Sequence, residues 1–191
     1  MTLVAFSAAA LALLIAPGPT NALLAVAGAQ AAVQGRVARL VPAVLAGYLA
    51  SILPLAYAGA EAQARWPLFA TGLKLAAAAW VMVLALRLWR AGAGRDADGV
   101  TARAVFLTTL LNPKALVVAL VLLPQPQDPA FAARLALFCL MAASASFAWG
   151  TLGALAQRGR GGPRRTALIG RAASVLLAVV SLSLIAGVFA A

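Results

Sequence analysis

The sequence predicts an all-α polytopic membrane protein of six transmembrane helices, and three observations carry that prediction. Of the 191 residues, 64% are hydrophobic and 10% charged. A soluble domain carries about 25% charged residues, so this chain lacks the polar surface to stay in water. Six apolar runs, each close to the roughly 20 residues needed to cross a bilayer, are separated by short arginine-bearing gaps. Proline-rich breakers interrupt the first and fourth of these runs. No polar stretch is long enough to build a separate soluble domain, so residues 1–191 read as a single membrane domain.

The first run, 3–28, follows Met1-Thr2 without lysine or arginine. It therefore lacks the positive segment of a signal peptide and reads as a retained helix. Pro17-Gly18-Pro19-Thr20-Asn21 breaks it near its middle. The second run, 38–60, holds Pro42 and Pro54, which read as kinks in a packed helix. The third, 66–89, carries Lys74 about eight residues in, close enough for its stem to snorkel outward or for its charge to face a pathway. The fourth, 104–124, is broken at Asn112-Pro113-Lys114. In the fifth, 131–156, Ser146, Gly150, Gly153 and Ala154 have the spacing of close helix packing, as do Gly170 and Ser174 in the sixth, 168–190. Trp66, Trp89 and Trp149 read as interfacial anchors or packing residues. The single cysteine, Cys139, excludes an intrachain disulfide and reads as inert, and histidine is absent.

Orientation follows from the arginines. Eleven of the thirteen flank the first, third and fifth connections, while the second and fourth hold only Arg65 and Arg134. Basic residues in short loops mark the cytoplasmic side, so both termini should lie outside, in the periplasm of a bacterial inner membrane. The net charge of +11 is thus split among loops, which suits anionic lipid headgroups and not nucleic acid. Three spans per half also means that the second half enters from the opposite side. Pro19 and Pro113, 94 residues apart, fall in the first span of each half. The chain therefore reads as two inverted three-helix repeats, 1–95 and 100–191, with paired broken helices, a pointer to a transporter site near the midplane.

The breakers suggest what that site takes. Pro17 and Pro19 cannot donate to the carbonyls of Leu13 and Ile15, nor Pro113 to that of Thr109. Beyond each break a half-helix begins with free N–H groups and a positive dipole end. Lys114 adds an ammonium, which at bilayer depth costs about 2.5–3.5 kcal/mol and therefore implies work done there. A carboxylate is the natural guest, with Asn21 and Asn112 available for the rest of a zwitterion. The candidate substrate-binding set is Pro17, Gly18, Pro19, Thr20, Asn21, Lys74, Asn112, Pro113 and Lys114. No catalytic residue, metal ligand set or cofactor motif stands out, and the chain does not read as an enzyme.

The order of these features resembles the LysE/RhtB family of amino-acid exporters. The matching pieces are Ala16-Pro17-Gly18-Pro19, then Gly28, Gly35 and Gly47, then Leu73-Lys74-Leu75 followed by alanines at 76–79 and an aromatic. Leu86-Arg87-Leu88-Trp89-Arg90 and Leu111-Asn112-Pro113-Lys114-Ala115 complete the set. The resemblance implies a six-helix inner-membrane exporter of amino acids, driven by the proton gradient, with Pro17, Gly18, Pro19, Asn112, Pro113 and Lys114 around the pathway. All four acids, Glu61, Asp96, Asp98 and Asp128, lie in or beside connections. With no buried carboxylate to neutralise a cationic side chain, small neutral amino acids or related carboxylates are expected as cargo ahead of lysine or arginine. The alternatives are a non-transporting membrane scaffold or degenerate family member, and a divalent-metal exporter, which would need intramembrane Asp, Glu or His. Homo-oligomerisation is left open by the chain.

Overall fold

The computed structural model describes residues 1–30, 33–65, 68–91, 100–157 and helical positions between 171 and 186. Trp66, Arg95, Asp96, Asp98, Gly170 and the arginines at 158–165 lie outside the described residues, as do the side chains of Glu61, Lys74, Arg87 and Arg90. The described part is all-helical. In chain order the helices are α1 (Leu3–Ile15), α2 (Pro19–Gln30), α3 (Val33–Arg65), α4 (Leu68–Ala91), α5 (Ala102–Leu110), α6 (Pro113–Val117) and α7 (Ala130–Gln157). A π-helical turn, Val118–Leu122, continues α6.

Two described segments are long and apolar enough to cross a membrane, Gly35–Ala58 within α3 and Ala130–Ala156 within α7. The number rises to four if each bent pair, α1 with α2 and α5 with the stretch Pro113–Leu122, counts as one span. Both breaks fall where the prolines predict them, with bends of 59° and 45°. Pro42 and Pro54, by contrast, are carried inside α3, which runs through both as one helix.

Local chemistry sets the ends of these helices. Thr2 and Thr101 each sit in extended backbone just before a first half-helix, and their hydroxyls accept from Ala5 N and Ala104 N at 3.2 Å. Each cap satisfies one of the backbone donors that a helix start leaves free. Asn112 does the same for α6, accepting from Lys114 N at 3.1 Å, and Pro113 occupies the first helical position, where a missing N–H costs nothing.

The outward faces are apolar as well as the core. Val121, Leu140, Leu152 and Val179 all stand more than half exposed. Large apolar side chains exposed on an all-helical chain suit acyl chains, not water. At the centre lies α2, buried from Pro19 through Leu24 and again from Val26 to Gly28. It packs on α7, α3 and α5, and α7 is its principal neighbour. That contact is nearly backbone on backbone. A Cβ added to Gly28 would fall 1.9 Å from the carbonyl oxygen of Gly150, and one added to Gly153 would fall 1.9 Å from that of Ala25. Gly47 of α3 meets Thr109 and the backbone of α5 in the same way, whereas Gly35 faces open space. Where lipid supplies no hydrophobic drive between helices, such close approach is what holds them together.

Packing crosses the two halves reciprocally: α1 lies against α7, and α5 against α3. Tyr48 of α3 and Phe138 of α7 meet edge to face with ring centroids 5.2 Å apart. At the far side, Ser174 Oγ donates to the carbonyl of Ala85 at 2.6 Å and Ser181 Oγ to that of Ala78 at 2.8 Å. These bonds, with Arg171 stacked 5.7 Å over the Trp89 ring, run the C-terminal helical positions antiparallel to α4.

Candidate functional site

The two bends bring their polar residues together. Thr20, Asn21 and Asn112 are all buried, and Thr109 is fully so. The Thr20 hydroxyl accepts from Asn112 Nδ2 at 3.0 Å and lies 3.2 Å from the Thr109 hydroxyl. Thr109 Oγ1 in turn reaches the carbonyl of Val105 at 2.8 Å. Hydrogen bonds between the first and fourth runs thus pass through side chains that begin or end half-helices.

The carbonyls at the end of α1 are capped by side chains. Asn21 Nδ2 donates to Leu14 O at 2.8 Å and to Ala16 O at 2.9 Å. The Lys114 ammonium donates to the same Ala16 oxygen. The electrostatics explain this reach. A cation in the first turn of α6 is poorly placed for its own helix, while the C-terminal end of α1 presents partial negative charge. The lysine therefore leans away from α6 and across Gly18. A Cβ on Gly18 would lie 3.1 Å from Lys114 Cε and 3.2 Å from Nζ, so the missing side chain is the lysine's seat.

At the second break, three groups share the loss. The amide N–H of Lys114 turns to Asn112 Oδ1, so the Leu110 carbonyl that it would have joined in a continuous helix accepts from Ser51 Oγ of α3. The Thr109 carbonyl, expected to be left free by Pro113, accepts instead from Asn112 N at 3.1 Å through a tighter turn. The freed group is thus Leu110 and not Thr109, because the last turn of α5 contracts by one residue before the bend. Nearby, Thr108 Oγ1 receives Trp80 Nε1 at 3.0 Å and donates to Ala104 O at 2.6 Å.

Of the residues expected at the site, Gly18, Thr20, Asn21, Asn112 and Lys114 converge. Pro19 is buried as the first residue of α2, Pro113 is half-buried as the first of α6, and Pro17 is exposed at the bend. Lys74 lies on α4, with its side chain outside the described set. Sequence reasoning missed Ser51, Trp80, Thr108 and Thr109. Thr109 sits three residues before Asn112 in an apolar run, directly after Thr108, and Ser51 is the lone serine in another. That polarity in hydrocarbon was the available signal.

Among the described residues, the junction holds one basic side chain, that of Lys114. Among the described residues no carboxylate pairs with Lys114. The described acid side chain, Asp128, is exposed, and its carboxylate accepts from Ala130 N at 2.8 Å. An ammonium has three donors, and among the described residues Ala16 O is the acceptor it reaches. The first-turn N–H groups of α2, which have no intrahelical acceptors, begin beside it just past Gly18. No family model, curated protein or solved structure matches this chain.

Proposed function

We propose that the chain is a bacterial inner-membrane secondary transporter of the LysE/RhtB kind, with six spans in two inverted repeats. It exports small neutral amino acids or related carboxylates by alternating access, coupled to the proton gradient. The single observation that carries the reading is the Lys114 ammonium. It lies at the meeting of two broken helices, lacks a carboxylate partner among the described residues and is seated on Gly18 beside the start of α2. A substrate carboxylate supplies the missing negative charge. Support for the repeat comes from the reciprocal packing of α1 on α7 and α5 on α3, and from the matched threonine caps that open α1 and α5.

The test is counter-flow in proteoliposomes, screened over the twenty amino acids. A charged hydrogen bond contributes about 1.5–3 kcal/mol, so Lys114→Ala should weaken uptake of the carried amino acid by roughly ten- to a hundredfold. A Lys114→Ala chain that exchanges as well as the parent removes the site.

A second reading, a non-transporting membrane scaffold, is favoured by one observation. Every buried side-chain nitrogen and oxygen among the described residues already has a partner within the chain. Absence of flux with any amino acid, under either direction of proton gradient, decides for it.

A further inference from the structure

The carbonyl oxygen of Ala16 has two donors, and they come from different halves of the chain: Asn21 from just beyond the first break and Lys114 from just beyond the second. A buried carbonyl stripped of its donor is costly in a membrane. Lys114 can nevertheless leave this one, because Asn21 stays. At the neighbouring contact, by comparison, Asn112 Nδ2 would lose Thr20 without a substitute among the described residues. The Lys114–Ala16 bond can therefore open without orphaning the carbonyl, once a guest takes over the ammonium.

From this redundancy we infer that Asn21 is a positioning residue, not a substrate ligand. It holds the Leu14 and Ala16 carbonyls so that the Lys114 ammonium is free to exchange Ala16 for an incoming carboxylate. The inference rests on the exporter reading and names the step by which its site is vacated. Gly18 contributes by leaving room for the lysine stem to swing without crossing a side chain. Carboxylate binding then does two things at once: it neutralises the ammonium, and it cuts the Lys114–Ala16 bond that ties α6 to the end of α1.

Two measurements on the full chain test this. In the first, thermal midpoints in detergent are compared for the parent, Asn21→Leu, Lys114→Met and the double variant, without added amino acid. Because either donor can cover Ala16 alone, the double variant should lose more than the two single losses combined; simple additivity overturns the inference. In the second, counter-flow kinetics are taken with the amino acid that the parent exchanges best. Asn21→Leu leaves Ala16 dependent on the lysine, so KM should rise about tenfold while the maximal rate stays within about twofold.

A merely structural role would lower the maximal rate by reducing the folded fraction and leave KM in place, which also overturns the inference. Asn21→Gln, which keeps the amide donor, should recover most of the KM. Should Asn21→Leu fail to assemble, Asn21→Ser takes its place in both arms, with smaller shifts in the same directions. A parent chain that exchanges no amino acid overturns the exporter reading and the inference together; an additive cycle or an unmoved KM in an active chain overturns the inference alone.

Discussion

Gly18 shows how little separates a working junction from a blocked one. Its absent side chain is filled by the far end of a flexible lysine, so a methyl there would require that lysine to shift by a few tenths of an ångström. Gly18→Ala should therefore leave the thermal midpoint nearly unchanged, yet raise the KM for a carboxylate substrate severalfold by moving Nζ off its seat; counter-flow and a melting curve on one preparation check both. The pairing of Gly18 with Lys114 was legible in the sequence only as two motifs of the same kind in the two halves. That the lysine reaches back to an α1 carbonyl was not legible, because spacing along the chain does not say which way a long side chain leans. The bonds of Asn21 to Leu14 O and Ala16 O were not legible for the same reason: a buried amide in a broken span looks alike whether it faces a guest or its own backbone.

At the scale of the helices, the two breaks were legible, since a proline cannot donate its bond wherever it stands in hydrocarbon. The different fates of the prolines were less so: Pro42 and Pro54 remain inside α3, while Pro19 and Pro113 begin new helices. What separates them is a polar residue able to cap, Asn112 at one break and Asn21 at the other. Glycine spacing told a similar half-truth. Gly28, Gly35 and Gly47 look equivalent in the sequence, but only Gly28 and Gly47 touch a neighbouring backbone. Gly28→Ala and Gly153→Ala should each force α2 from α7 and destabilise by about 1–3 kcal/mol or more. Gly35→Ala should be neutral or stabilise by up to about 1 kcal/mol through helix propensity. Unfolding in mixed micelles distinguishes them. Ser51 could not be assigned from the chain, because its partner, the Leu110 carbonyl, is freed only once α5 bends.

For the molecule as a whole, hydropathy already announced a lipid environment, and the apolar outward faces agree with it. The orientation drawn from the arginines makes its own prediction. In a Cys139→Ser background, a cysteine placed at Thr2 should react with a membrane-impermeant reagent added from the periplasmic side, and one placed at Gly99 should react only after the membrane is opened. The opposite pattern would invert the topology. The all-helical class and the two breaks were legible in the sequence, but not which helices pair across the halves, because that depends on small residues meeting in space. The serine bonds between α4 and the C-terminal helical positions illustrate the point. Ser174 and Ser181 are seven residues apart, and so are the carbonyls of Ala85 and Ala78 that receive them. Two pegs at matching intervals act as a key: a slip of one residue empties both holes, and a slip of a full heptad fills only one. These two rods should accordingly travel as a single plank, leaving any rocking of the molecule to be taken up elsewhere.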